Sequence, residues 1–314
     1  RGECLHSNNR GPICFLRKAS TMSVSAGAKV QRRTSGLSDK VRKRIEITIL
    51  SLPALIMFLG FVILPVFMAG YYGFFKWKGY GKPTVNGQFI GFENYKVILT
   101  DPNFQQALGH TLFVVVASLV IQGPLAILFA LLLNQKFKGR ALIRTLIFVP
   151  YVVSEVIVGT GWSLILQTTG ALNALLKKIG LGGADWISDP KIAIWTLMFI
   201  ISWKYIGFAV ILMIAGMQSI PEDLYEAAKV DGAGFWRQQW SITLPLLGPT
   251  IRIWAFMSII GSLQLFDLVY IIWGQYVSST AGTSTMATYM VREGRLANNY
   301  GYGSAVAVVI FIIS

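Results

Sequence analysis

The sequence predicts an all-α, polytopic membrane protein, and three observations carry that prediction. Hydrophobic residues make up 54% of the 314-residue chain and charged residues 13%, against roughly 25% charged in an average soluble domain. Mean hydropathy is +0.57. The apolar residues fall into separate runs near or above the roughly 20 residues that a membrane-crossing helix needs. A net charge of +14 raises the possibility of nucleic acid, but seven basic residues lie within 29–44, directly before the first hydrophobic run. That is where the flank of a cytoplasmic end belongs, so nucleic-acid binding is set aside.

Residues 1–44 read as a basic, disordered cytoplasmic tail. Both cysteines, Cys4 and Cys14, lie before Met22, which is the expected initiator, so residues 1–21 are not expected to be native. The membrane part then holds no thiol, and disulfide, cysteine-ligated metal and redox roles drop out. The histidines are His6 and His110. His110, at a helix start, reads as an interfacial residue, and no metal ligand set is expected.

Residues 45–314 form the transmembrane domain. The first span, Ile45–Phe75, carries Pro53 and Pro65, which imply kinks that neighbouring helices tolerate. Polar, Gly-rich residues 76–109 follow, with Trp77, Tyr80 and Tyr95 at interface depth. Thr111–Leu133 is the second span, and the short loop Asn134–Arg144 holds four basic residues. Two basic flanks separated by two spans place both on the cytoplasmic side. The third span is Ile143–Gln167, the fourth Ile192–Gln218 and the fifth Thr250–Trp273, with residues 168–190 and 274–301 external. Tyr302–Ser314 begins a sixth. At about 1.5 Å per residue it covers roughly 20 Å of a ~30 Å hydrocarbon core, so the native chain is expected to continue.

The polar island at 219–249, between the fourth and fifth spans, is the most informative stretch. Ser219-x-x-Glu222 reads as a capping box with Pro221 in the first turn. Leu224, Ala227, Ala228 and Asp231 share one helical face, and its small residues allow another surface to approach closely. Gly232 and Gly234 break that helix. A second short helix carries Phe235, Trp236 and Trp240 until Pro245 and Pro249 stop it. A helix–turn–helix at a membrane surface with a small-residue face reads as a docking element. An interfacial anchor would explain neither the spacing nor the paired prolines.

Charges inside spans are costly and should face the protein interior. Glu155, Lys204 and Asp267 are such charges, though Glu155 lies near enough to one surface to be solvated. Lys204 and Asp267 fit a structural ion pair and a polar path lining equally well. Trp203, Tyr205, Gln264, Phe266 and Tyr270 surround them. Aromatic rings beside amide and carboxyl groups suit a sugar, although ordinary helix packing uses aromatics as freely. No G-x-x-x-x-G-K-[ST] loop occurs; Gly79-Tyr-Gly-Lys82-Pro83 lacks its first glycine and ends in proline. The chain is therefore not expected to hydrolyse ATP itself, and no H-E-x-x-H, G-x-S-x-G or metal-spaced histidine cluster offers other enzyme chemistry.

Glu226-Ala227-Ala228, then Gly232, then Ile242-x-Leu244-Pro245 resembles the EAA signature of the membrane subunits of bacterial ABC importers. Gly91-Phe-Glu-Asn-Tyr95 with Asp101-Pro102, and Ser262-Leu-Gln-Leu-Phe-Asp267 followed by Tyr270, resemble stretches of carbohydrate permeases. The resemblance covers nearly all of 45–314. It implies a six-helix type I importer permease whose loop is the cytoplasmic coupling helix, with Glu226 to Ala228, Asp231 to Ala233, Ile242, Leu244 and Pro245 meeting the ATPase. Trp203, Lys204, Tyr205, Gln264, Phe266, Asp267 and Tyr270 would then line the solute path. It implies a second permease subunit, two ATPase subunits that hold ATP and Mg, an external solute-binding protein and a sugar substrate. The setting is the bacterial cytoplasmic membrane, with the N-terminus inside. The rivals are a permease for an anion or polyamine and an independent secondary transporter, for which a cytosolic docking loop has no purpose.

Overall fold

The computed structural model describes residues 39–135 and 137–314. The expected tail up to residue 38, with both cysteines, His6 and Met22, lies outside the described residues. The chain divides into two units, Arg1–Ile56 and Met57–Ser314. In the first, helix begins at Asp39, ahead of the expected Ile45. The Arg42–Glu46 pair at 3.0 Å supports helix through the basic flank.

The spans appear in the expected order, as Pro102–Leu133, Ala193–Gln218, a longer helix at 40–72 and a helical stretch at 235–274 that is broken once. Three prolines leave a common signature. The π-turns Leu59–Ile63, Ser118–Gln122 and Gln239–Thr243 each end two residues before Pro65, Pro124 or Pro245. In each, the N–H just before the proline reaches back five residues, from Leu64 to Leu59, Gly123 to Ser118 and Leu244 to Gln239. A proline supplies no N–H and its ring pushes away the carbonyl four residues earlier, so the helix widens by one residue to pass it.

Three expectations fail here. Pro245 and Pro249 do not end a short helix: Phe235–Gln238 runs through the π-turn into Leu244–Leu263. The wide turn absorbs Pro245, and an apolar span tolerates the single donor lost at Pro249. The third span is also broken, into Arg140–Val152 and Glu155–Ile165 at 95°. Val153 is extended and Ser154 caps the second half by accepting from Ile157 N–H at 3.4 Å. The fifth span's helix stops at Leu263, and Asp267 starts a new one.

Packing within residues 57–314 gathers three apolar clusters. The fourth span joins two of them. Leu197, Ile200 and Ile201 meet Leu268 and Val269, while Val210 and Met213 meet Ala130, Leu247 and Trp254. The third holds Ile98, Phe104, Met286 and Tyr289 against Ala305 and Val306 of the helix Tyr300–Ile313. On the expected external side, Asp101 caps the second span by accepting from Asn103 N–H at 2.8 Å. Its other oxygen accepts from the hydroxyls of Tyr289 and Tyr302, which ties the start of this span to two later helices. Asn94 donates to the carbonyls of Gly73 at 2.8 Å and Phe75 at 3.2 Å, fixing the loop that follows the first span.

Candidate functional sites: an exposed loop and an aromatic pocket

The first site is the loop. Glu222–Val230 is helical and buries none of its residues within the chain. Glu226 and Ala227 are exposed, and Ala228 is half-buried. The expected capping box is absent: Pro221 is the cap residue, without a side-chain bond, and Ser219 donates back to Gly216 O at 2.7 Å. That bond closes the preceding span, whose last carbonyls need donors. The end of the helix follows a Schellman pattern. Gly232 N–H donates to Lys229 O at 3.0 Å and Ala233 N–H to Ala228 O at 2.9 Å. Gly232 sits at φ +74, where a side chain is strained. Asp231 caps this end, so it lies past the helical face to which it was assigned.

The second half of the signature performs a different task. Ile242, Leu244 and Pro245 frame the π-turn, with Thr243 buried between them. Thr243 donates to Gln239 Oε1 at 2.8 Å and is 2.9 Å from the Tyr225 hydroxyl. Gln238 donates to Ala233 O at 2.7 Å. The helix–turn–helix is therefore braced from within.

The second site is a cavity of about 290 Å³ among the second to fifth spans, lined by Ser118, Gln122, Tyr151, Tyr205, Phe208, Trp254, Ser258 and Ser262 with apolar neighbours. The π-turn before Pro124 presents both Ser118 and Gln122 to it. Ser118 donates to Gln122 Oε1 at 2.7 Å and lies 2.7 Å from the Ser258 hydroxyl. Tyr151 stacks on Phe208 at 5.1 Å and 21° and meets Tyr205 edge-on at 6.2 Å. No Asp, Glu, Lys or Arg is among the lining residues.

Of the residues expected to line a path, Tyr205 alone faces this cavity. Trp203 packs edge-on against Trp162 at 5.5 Å. Phe266 and Tyr270 stack on each other at 5.1 Å, and Gln264 and Asp267 are exposed near the fifth-span break. Lys204, only 3% exposed, does not pair with Asp267 among the described residues. Its ammonium donates to Val153 O at 2.7 Å, at the break of the third span, where a cation suits the carbonyl end of a helix. Glu155, across the break, accepts from the Tyr205 hydroxyl. Lys204→Met should leave a partly buried carbonyl without its donor at a cost of about 1 kcal/mol, read as a lower melting temperature in detergent. Adding Asp267→Asn should bring no recovery; recovery would restore the ion pair. Sequence reasoning missed Tyr151, Ser118, Gln122, Trp254 and Ser258, because it followed the charged residues of the spans and these are uncharged. The available signal was a serine and a glutamine one turn apart, just before a proline.

A multi-pass set of helices with an exposed helical loop at one end and an uncharged pocket between spans defines a membrane-embedded transport subunit. Residues 122–314 match the family model described as binding-protein-dependent transport system inner membrane component. The chain is 31% identical to the trehalose/maltose transport system permease protein MalF of Thermococcus litoralis, over 83% of this chain and 87% of that one. It is also 31% identical to the multiple sugar-binding transport system permease protein MsmF of Streptococcus mutans, over 82% and 88%. A bacterial alginate ABC transporter, solved with an alginate pentasaccharide-bound periplasmic protein, has a chain that superposes with a TM-score of 0.76 at 27% identity, covering 88% of this chain and 92% of that one. The chain belongs to the family of binding-protein-dependent transport system inner membrane components, and it is an ABC importer permease.

Proposed function

We propose that the chain forms half of the path by which an ATP-driven importer carries a sugar or oligosaccharide across the bacterial cytoplasmic membrane. The observation that carries this reading is the pocket wall: Tyr151, Tyr205 and Trp254 stand beside Ser118, Gln122 and Ser258, with no charged side chain. Aromatic faces stack on the C–H faces of a sugar, and hydroxyl and amide groups exchange hydrogen bonds with its hydroxyls. An anion or polyamine path would need opposite charges lining it. The sugar named in the relatives' descriptions supports the same choice.

In this reading the loop docks on an ATPase subunit, a second permease completes the path, and an external binding protein delivers the solute. ATP and Mg belong to the ATPase, and the chain itself has no enzymatic role. Nucleotide shifts the path between inward and outward states only because the docked loop binds one state better than the other.

Tyr151→Leu should lower uptake of the transported sugar at least about tenfold, the loss of roughly 1.4 kcal/mol of stacking and packing. ATPase subunits should still copurify. Unchanged uptake would remove the pocket from the path. Orientation is tested with single cysteines in a chain whose Cys4 and Cys14 are replaced by serine. Val85→Cys, at an exposed external position, should label from outside intact cells, and Val230→Cys, 89% exposed on the loop, should not. Labelling of position 230 from outside would invert the arrangement.

A further inference from the structure

We propose that the Tyr225 hydroxyl is the positioning group that ties the docking helix to the fifth span, so that movement of the loop reaches the pocket. The proposal rests on the reading of 219–249 as the ATPase-docking loop. The helix Glu222–Val230 has no buried residue, and among the described residues its side chains make one hydrogen bond to another element, from Tyr225 to Thr243. The direction of that bond is fixed. Thr243 has one hydroxyl proton and donates it to Gln239 Oε1, so Tyr225 donates to Thr243 Oγ1 at 2.9 Å. Thr243 is 1% exposed, and a buried, fully used hydroxyl chain is costly to break.

The acceptor sits in the π-turn Gln239–Thr243, directly before Leu244–Leu263. That helix carries Trp254, Ser258, Gly261 and Ser262 to the pocket. Ser258 in turn contacts Ser118 of the second span at 2.7 Å. A π-turn holds one residue more than the α-helical ladder allows. Moving or relaxing it turns every following side chain by up to about 100°, the angle per residue of an α-helix. A pull on Thr243 is therefore applied at the point where the fifth span can change its facing. Without this bond the helix Glu222–Val230 is joined to the fifth span by the backbone turn and the Gln238–Ala233 bond, and its movement reaches Thr243 less directly.

The test reads the pocket directly and needs no solute. Gly261 lines the pocket, and a Cβ added there meets nothing within 4 Å, so Gly261→Cys serves as reporter in the tagged importer complex, with Cys4 and Cys14 replaced by serine. Its alkylation rate by a maleimide is measured with and without Mg-ATP. In the parent complex the rate should change about tenfold with ATP. Tyr225→Phe should bring that ratio close to one while the ATPase stays bound and hydrolysis continues. Thr243→Val should do the same, and Thr243→Ser, which keeps the hydroxyl, should restore the response. The double change Tyr225→Phe with Thr243→Val should be no worse than either alone. An undiminished ATP response in Tyr225→Phe, or equal behaviour of Thr243→Ser and Thr243→Val, would overturn the proposal. No ATP response in the parent complex, or no ATPase bound to it, would instead remove the docking reading beneath it.

Discussion

Gly232→Pro should abolish uptake. The glycine turns the loop at φ +74, and proline is locked near −65°. The substitution also deletes the N–H that donates to Lys229 O at 3.0 Å and closes the helix Glu222–Val230. Together these cost about 3 kcal/mol or more, enough to depopulate the native turn over a hundredfold. A Cβ at this position meets nothing within 4 Å, so the defect is one of backbone conformation, and Gly232→Asn, which tolerates the left-handed region, should retain much of the activity. Glu226→Ala acts by another route. It removes an exposed charge and leaves the fold intact, so the ATPase subunits should wash off membranes more easily while the chain melts at its usual temperature. Uptake, membrane-bound ATPase and thermal stability together separate the two changes. Normal uptake by Gly232→Pro would show that the turn has no part in transport.

Gly207→Ala should damage stability and uptake together. Gly207 is where the fourth span crosses the third. An added Cβ would lie 2.2 Å from Ile147 O and 2.9 Å from the Cα of Phe148. Those are backbone atoms, so a helix must move rather than a side chain turn aside, at about 1–3 kcal/mol. The adjacent residues build the pocket wall, through the Tyr151–Phe208 stack, so uptake should fall along with stability. Gly161→Ala is the matched control: it lies in the second half of the third span, with nothing within 4 Å of the new methyl, and Ala favours helix over Gly by up to about 1 kcal/mol. A lower melting temperature at 207 and none at 161 is expected. Equal stability of the two variants would show that the crossing is looser than described.

The membrane class, the order of the spans and the exposed helix–turn–helix at 219–249 were legible because each is written in local pattern. Apolar runs set the spans, and the spacing from Glu226 to Pro245 marked the loop. Helix ends were harder. Ser219 and Glu222 match a capping box by spacing, but the Ser219 hydroxyl is drawn to Gly216 O at the end of the preceding span. Pro245 and Pro249 read as stops, because the rule for prolines in water takes no account of a π-turn that lets an apolar helix continue. The candidate pocket was the least legible part. Charge drew attention to Lys204 and Asp267, whereas Lys204 holds the break in the third span together and the pocket is assembled from uncharged residues on four spans. Residues far apart in sequence, such as Ser118 and Ser258, meet only once the helices have packed.

The central claim is that this chain is half of a sugar path driven by ATP. It is tested most directly by uptake of radiolabelled di- and oligosaccharides, with an inorganic anion and a polyamine for comparison, in cells lacking this chain alone. At least one sugar should fail to enter, and its energy-dependent uptake should return with the intact chain but not with Gly232→Pro. Unchanged entry of every sugar, with loss of the anion or the polyamine instead, would contradict the account.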